Sequence, residues 1–206
     1  MIESLRKELL EMKRRDLELR SELLRSGELF DGYHPRLEAI HRAHAERLAA
    51  ILDEHGWPGR SLVGDDGAEA AWLVVQHAIG DPALQRRARD LLGEAVRRGE
   101  AEPWSWACLD DRIRTFEGRP QRYGTQFDWD DDGTLSPLPI EDPERVDQRR
   151  AELGLESLDQ RVRAMRERAA REGERPPADR EARQRRFEAW LREVGWRRAE
   201  RVSPAP

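Results

Sequence analysis

The chain has 206 residues, of which 38% are charged and 37% hydrophobic, and its 37 basic and 42 acidic side chains give a net charge of −5. Acidic residues interrupt every basic run, so nucleic acid is not expected as a partner. The single cysteine excludes an internal disulfide and a thiolate metal cluster. No segment resembles a signal peptide or a membrane span. We therefore expect a cytoplasmic protein that does not contact a membrane.

The first two predicted helices each carry polar side chains on an apolar face. Residues 3–26 repeat apolar side chains at alternating steps of four and three, and Asp16 is the one charged residue in that stripe. Residues 35–54 form the second helix, in which His41 and His44 point the same way. A buried carboxylate or imidazole is unfavourable without a partner, so we expect these side chains to meet.

The most apolar part of the chain predicts a third helix. Residues 67–79 are apolar on nearly every side, which indicates a central, buried helix; a buried strand is the alternative for so short a run. Gln76 and His77 lie inside it, about 100° apart around the helix axis, so they cannot share one direction. We expect His77 to face inward toward Asp16, and Gln76 to bond locally or lie at the helix edge.

The rest of the chain predicts more helices and one long loop. Residues 118–143 are rich in Gly, Pro, Asp and Thr, which indicates an ordered loop with a short hairpin over about 125–138. The other predicted elements are helices over 82–98, 103–117, 143–153, 156–172 and 180–198, with a linker over 173–179. The sequence thus predicts a mainly α fold: about seven helices in one compact orthogonal or bundle-like domain.

Two parts of unequal character are expected along the chain. Residues 1–160 form the core domain. Residues 161–206 form a charged helical extension, whose last helix is amphipathic through Phe187 and Trp190. That helix is expected to pack on the outside of the domain or to mediate self-association.

Several segments resemble one protein family. In chain order they are ELFDGYHPRLEAIH, HGWPGRSLVG, AAWLVVQHAIGDP, LDDRIRTFEGRPQRYGTQ and PLPIEDPERVDQRRAELGL. Together they resemble a bacterial domain family of unknown function over about residues 1–160, and the resemblance implies no activity. It implies that certain polar positions recur, which here are Asp16, Arg20, His55, His77, Asp81, Gln85, Asp111, Arg112, Gln121, Tyr123 and Gln126. More distant members resemble this chain less at His41 and His44, where they carry Asp and Asn.

The buried polar residues form the first candidate site. An Asp16 carboxylate that accepts from one nitrogen of His77 would fix the tautomer and leave the other nitrogen for a substrate proton. A purely structural network is the alternative. His41, His44 and His77 could also form a zinc or iron site, with Asp16 as a further ligand. Because no His-Glu-x-x-His pattern is present and the resemblance argues against a need for both His41 and His44, we expect no metal and no cofactor.

The loop GRPQRYGTQF forms the second candidate site. Gln121, Tyr123 and Gln126 offer donors and acceptors without full charge, which suits a neutral polar group such as a peptide amide. Alternatively, these side chains satisfy the backbone of the loop itself. Arg112 could hold a ligand carboxylate or phosphate with support from Asp111, although a salt bridge that joins helix to loop is the preferred interpretation.

The two candidate sites lead to two functional hypotheses. In the first, the protein is an enzyme that acts on a small polar molecule or peptide. His77 is then its general acid or base, Asp16 orients His77, and His41 and the loop residues bind the ligand. In the second, a non-catalytic binding module uses the same pocket. The sequence does not choose between the two.

Overall fold

The computed structural model describes residues 1–29 and 32–197. The described residues form eight α-helices and one antiparallel hairpin, which confirms the mainly α prediction. The helices are α1 (Glu3–Ser26), α2 (Pro35–His55), α3 (Arg60–His77), α4 (Pro82–Arg97), α5 (Pro103–Phe116), α6 (Val146–Glu152), α7 (Leu158–Glu172) and α8 (Arg180–Glu193). The strands are β1 (Phe127–Trp129) and β2 (Leu135–Pro137), and a 3-10 helix, Pro143–Arg145, precedes α6.

Two helix boundaries differ clearly from the prediction. The third helix begins at Arg60 rather than at residue 67, because a first helical turn precedes a kink at Gly64. Gly64 has φ 75° and ψ 169°, a conformation that glycine adopts without a side-chain clash. The last helix ends at Glu193 instead of 198, and Gly195 follows at φ 86°. Arg198, the last residue predicted for that helix, lies outside the described residues.

The centre of the fold is formed by α3, which packs against α1 and α2. The apolar stripe of α1 is buried along its length, and Asp16 is buried within it. On the other side, α4 packs against α5. The main core joins these helices through fully buried side chains that include Leu9, Leu48, Val75, Leu92, Leu109 and Ile113.

The C-terminal part of the described chain packs on this core and on the hairpin. Leu191 of α8 is fully buried in the main core, whereas Phe187 is 38% exposed. The Trp196 indole nitrogen donates to the backbone oxygen of Ile79 at 2.7 Å, so the chain after α8 contacts the segment that follows α3. In α7, Nε of Arg166 donates to the backbone oxygen of Leu135 in the hairpin at 2.9 Å.

None of the described helices combines the length and the apolar character needed to cross a bilayer.

Candidate functional site

Three helices bring Asp16, His41 and His77 together. Asp16 lies on the buried stripe of α1, His41 lies on the inward face of α2, and His77 is the last residue of α3. Oδ2 of Asp16 is 2.7 Å from Nδ1 of His77 and 3.1 Å from Nε2 of His41. The Asp16 side chain is 2% exposed, whereas that of His77 is 26% exposed. A buried carboxylate therefore faces two imidazoles, one of which reaches the surface.

The hydrogen bonds define which nitrogen of each ring carries a proton. A carboxylate only accepts, so Nδ1 of His77 donates to Asp16 and Nε2 of a neutral His77 carries the free lone pair. The Tyr33 hydroxyl lies 2.8 Å from Nδ1 of His41 and donates to it when Nε2 of His41 carries the proton toward Asp16. The contact of Nε2 with Asp16 is short, but its direction does not make a well-formed hydrogen bond. His77 is thus the more strongly oriented of the two rings.

Burial and the neighbouring groups shift the protonation of this cluster. Burial by itself would raise the pKa of Asp16, but the imidazoles of His41 and His77 outweigh it and hold that pKa well below its usual range. Burial lowers the pKa of His77, and the Asp16 carboxylate opposes this effect only in part. The structure therefore favours an ionised Asp16 beside a neutral His77 near pH 7, which is the state of a general base.

His44 stands apart from this cluster. Its ring is buried, Nδ1 accepts no hydrogen bond from a described residue, and it lines a shallow surface groove between α1 and α2. Burial lowers the pKa of His44. The residues whose ligand atoms converge, within 4.8 Å of one another, are Asp16, His41 and His77. A metal site in the described residues would therefore consist of Asp16, His41 and His77 and would leave out His44, which the sequence also suggested as a ligand.

These three residues fit a divalent metal by type, because carboxylate and imidazole ligands suit zinc and iron. The separations between Asp16 and each ring, 2.7 and 3.1 Å, are also ordinary hydrogen-bond lengths. A proton on Nδ1 of His77 accounts for the shorter of the two contacts.

Gln76 is more buried than expected. The expectation that Gln76 lies at the edge of the helix was wrong: the residue is 3% exposed, and its Nε2 has no hydrogen-bond partner among the described residues. His77 does face Asp16, as expected, but it ends the helix and is partly open to solvent. The backbone oxygen of Gln76 accepts from the guanidinium of Arg112. The neutral amide of Gln76 is thus the buried side chain, whereas the neighbouring imidazole of His77 reaches the surface.

The predicted ligand loop is held by its own hydrogen bonds. Gln121 is fully buried: Nε2 donates to the backbone oxygens of Gln126 and Leu138, and Oε1 accepts from the Gln126 amide at 2.8 Å. Asp111 is also fully buried and accepts from the backbone amides of Arg122, Tyr123 and Thr125. Gln121 therefore stabilises the shape of the loop, as the alternative interpretation of the sequence proposed. Asp111 does the same through backbone amides, and the expected salt bridge between Asp111 and Arg112 is not formed among the described residues.

Arg112 connects the loop to the helix that carries His77. In addition to its bond to Gln76, its Nε lies 3.3 Å from Oε1 of Gln126. The positive charge of Arg112 contributes to lowering the pKa of His77, after burial and a contribution from His41. Tyr123 is 6% exposed, and its ring packs edge-on against Trp106. Of the predicted loop residues, Gln126 has the most direct link to His77, through Arg112.

Tyr33 is a partner of His41 that the sequence does not reveal. Tyr33 lies eight residues before His41 and precedes the helix that begins at Pro35. Helix periodicity therefore does not indicate a contact between the two residues. The other positions implied by the resemblance have ordinary structural contacts. Arg20 pairs with Glu172, His55 lies beside Glu54, Asp81 caps α4 through Leu84, and Gln85 donates to the backbone oxygen of Val75.

Comparison with known proteins gives one result. No curated protein and no solved structure matches this chain. A family model described as "Family of unknown function (DUF6624)" matches residues 3–171, which run from the start of α1 almost to the end of α7. The chain therefore belongs to the DUF6624 family.

Proposed function

We propose that this protein is a cytoplasmic enzyme that acts on a small polar molecule or a peptide by general acid/base chemistry at His77. The observation that carries the proposal is the 2.7 Å contact between Nδ1 of His77 and the buried carboxylate of Asp16. A carboxylate in this position fixes the ring and stabilises the imidazolium that forms when Nε2 takes a proton.

The proposed proton transfer uses the nitrogen of His77 that does not face Asp16. Nε2 takes a proton from an O–H or N–H group of the substrate and returns it to the leaving group. Because His77 is neutral near pH 7, no prior deprotonation is needed. The Tyr33 hydroxyl hydrogen-bonds to His41, and Nε2 of His41 lies 3.1 Å from Oδ2 of Asp16, a contact that favours the ionised carboxylate. Oδ1 of Asp16 is buried and accepts no hydrogen bond from a described residue, so only the exposed side of His77 is open to a substrate.

Substrate positioning is proposed for Arg112 and Gln126. Arg112 carries a positive charge close enough to His77 to affect its pKa, and the same charge attracts an anionic or carbonyl oxygen. Its contact with Gln126 gives the loop an amide group near this position. Gln121 and Tyr123 act in this proposal by holding the loop, because the Gln121 amide already binds three backbone groups.

The alternative is a non-catalytic module that binds a small ligand or a protein, in which the Asp16 network is purely structural. The buried, unpartnered Nε2 of Gln76 does not distinguish the two functions, because it is enclosed and a ligand at the surface does not reach it. The two functions differ in what the loss of His77 does: a general acid or base contributes about 10²–10⁴-fold to the rate, whereas a binding residue changes affinity alone.

The activity test compares matched histidine variants on simple chromogenic substrates. Wild-type protein, His77→Gln and His55→Gln are assayed with p-nitrophenyl acetate, p-nitrophenyl phosphate and alanine p-nitroanilide. His55 belongs to α2 but is not in contact with Asp16 among the described residues, so it controls for the loss of an imidazole. We expect at least a 100-fold loss for His77→Gln and less than a threefold change for His55→Gln. Equal rates for all three proteins would contradict the proposal.

A second test needs no substrate. Nitrogen NMR of the five histidines identifies which ring nitrogen carries the proton. We expect His77 to be protonated at Nδ1 and free at Nε2 at neutral pH, and Asp16→Asn to change that pattern. Elemental analysis of the same sample is the control: a stoichiometric divalent metal would replace acid/base chemistry at His77 with metal chemistry, and would overturn the proposal.

A further inference from the structure

A cavity lies between α5 and the segment that joins α6 to α7. Its volume is about 200 Å³, and it shares no lining residue with the Asp16 cluster. The residues that line it are Trp104, Cys108, Thr125, Arg150, Gly154, Leu155, Glu156 and Arg161. We propose that this cavity binds a small organic anion with a flat apolar body, such as a monocyclic aromatic carboxylate.

The charge of the cavity favours an anion. Two guanidinium groups, those of Arg150 and Arg161, face a single carboxylate, that of Glu156, from 4.0 and 3.9 Å. Both separations are at the outer limit of an ion pair, and the Glu156 side chain is 47% exposed, so these pairs are weak. Among the lining side chains, two positive charges therefore face one negative charge, and the carboxylates of Asp147 and Asp111 act on Arg150 more weakly than that of Glu156.

Hydrogen-bond donors remain for a ligand. The Arg150 side chain is only 3% exposed, and its Nε and Nη1 donate to the backbone oxygens of Glu156 and Tyr123. Its Nη2 makes no hydrogen bond to a described residue, and neither does the side chain of Arg161. A guanidinium fork matches the two oxygens of a carboxylate, which makes an oxyanion the group best suited to this side of the cavity.

The other lining residues are suited to an apolar body. Trp104 is 36% exposed, and its ring is held edge-on against Trp72 with centroids 4.4 Å apart. Leu155 and the Cys108 thiol add further apolar surface. An apolar cavity of about 150 Å³ is enough for benzene, so the observed volume fits one ring and its carboxylate but not a drug-sized molecule.

Cys108 provides a chemical reporter for this site because it is the only cysteine in the chain. Burial raises the pKa of its thiol to about 11, so it reacts slowly with alkylating reagents at neutral pH. A ligand in the cavity covers the thiol and slows the reaction further. The alkylation rate of Cys108 therefore reports occupancy independently of any heat or fluorescence signal.

The test measures binding of benzoate, benzamide and inorganic phosphate by calorimetry and by protection of Cys108. The variants are Arg161→Gln and the matched control Arg163→Gln, which removes the same charge from an exposed position of α7 outside the cavity. We expect saturable benzoate binding that slows alkylation at least fivefold, binding at least tenfold weaker in Arg161→Gln, and a change below twofold in Arg163→Gln.

Each other outcome overturns part or all of the proposal. Benzamide binding as tightly as benzoate would remove the need for an anion. Phosphate binding as tightly as benzoate, with equal protection of Cys108, would remove the need for an apolar body. Benzoate binding that is equally weakened by both arginine variants, or that leaves Cys108 unprotected, would place the ligand elsewhere on the surface. No binding of any probe to the folded wild-type protein would reject the site.

Discussion

Replacement of Asp111 by asparagine tests how the loop over residues 118–127 is held. Oδ1 of Asp111 accepts from the amides of Arg122 and Tyr123 at 2.6 and 3.1 Å. Oδ2 accepts from the amide and the hydroxyl of Thr125 at 3.1 and 3.0 Å. In Asp111→Asn, an NH₂ group replaces one of these oxygens and faces two donors, whichever way the amide is turned.

The expected cost follows from those contacts. A hydrogen bond to a charged group contributes about 1.5–3 kcal/mol, and two are lost. Burial raises the pKa of Asp111, so removal of its charge recovers part of the cost of taking that charge out of water. At the lower end of that range, about 1.5 kcal/mol for each of the two hydrogen bonds, the free energy of unfolding should fall by about 3 kcal/mol. For a chain of this length, that corresponds to a decrease in Tm of roughly 6–12 °C.

The assay is urea unfolding followed by tryptophan fluorescence, with the midpoint compared at unchanged slope. Asp110→Asn is the matched control: Asp110 is 7% exposed, and the nearest basic atom, Nη1 of Arg89, is 3.7 Å away. We expect this control to lie within about 0.5 kcal/mol of the wild type. If Asp111→Asn were as stable as Asp110→Asn, the loop would not depend on the Asp111 carboxylate, and our account of it would be refuted.

Three further predictions concern pH, glycine geometry and a buried amide. Burial lowers the pKa of His77 below the unfolded value of about 6.5, so the folded chain binds fewer protons just below that pH and its stability falls on acidification. His77→Asn should reduce the slope of the unfolding free energy against pH by up to about 1.4 kcal/mol per pH unit, measured by urea unfolding between pH 5 and 8. An unchanged slope would contradict a neutral His77. Gly124→Ala places a Cβ 2.5 Å from the Leu158 side chain, whereas the Cβ of Gly154→Ala, at a similar φ, meets nothing within 4 Å. Gly124→Ala should therefore have the lower Tm of the two variants, and its free energy of unfolding should be lower by at least about 1 kcal/mol. Gln76→Met removes a buried Nε2 with no partner among the described residues and should raise stability by about 1 kcal/mol in the same urea assay; a loss of stability would show that this amide is satisfied.

Helix periodicity predicts much of this fold because the chain follows it closely in α1. The apolar stripe of that helix is buried along its length, and Asp16 stands out as its one charged member. The same periodicity fails at the start of α3. With glycines at positions 64 and 67, the sequence predicts that the helix begins only at residue 67. The helix instead begins at Arg60 and has a kink at Gly64. A glycine in the sequence does not say whether the chain ends a helix there or only bends it.

The direction of a buried polar side chain is harder to predict than its burial. The contact between Asp16 and His77 was expected because each residue needed a partner inside an apolar environment. The partners of Gln121 could not be deduced in the same way. They are backbone oxygens of the loop itself, set by turn geometry and by a parallel bridge between Gln121 and Ile140. A glutamine that binds a ligand and one that binds its own loop have the same sequence signature.

The different burial of Gln76 and His77 gives a reason for their order in the chain. A neutral amide can be buried at a cost of a few kcal/mol, whereas an imidazole that must gain and lose a proton needs contact with solvent or substrate. His77 ends α3, so one side of its ring is packed against Asp16 and another is open. Gln76 lies one residue earlier and is enclosed, and its carbonyl fixes Arg112 beside the ring. The helix end therefore places a partly exposed imidazole beside a buried carboxylate, which is the arrangement that the proposed acid/base role of His77 requires.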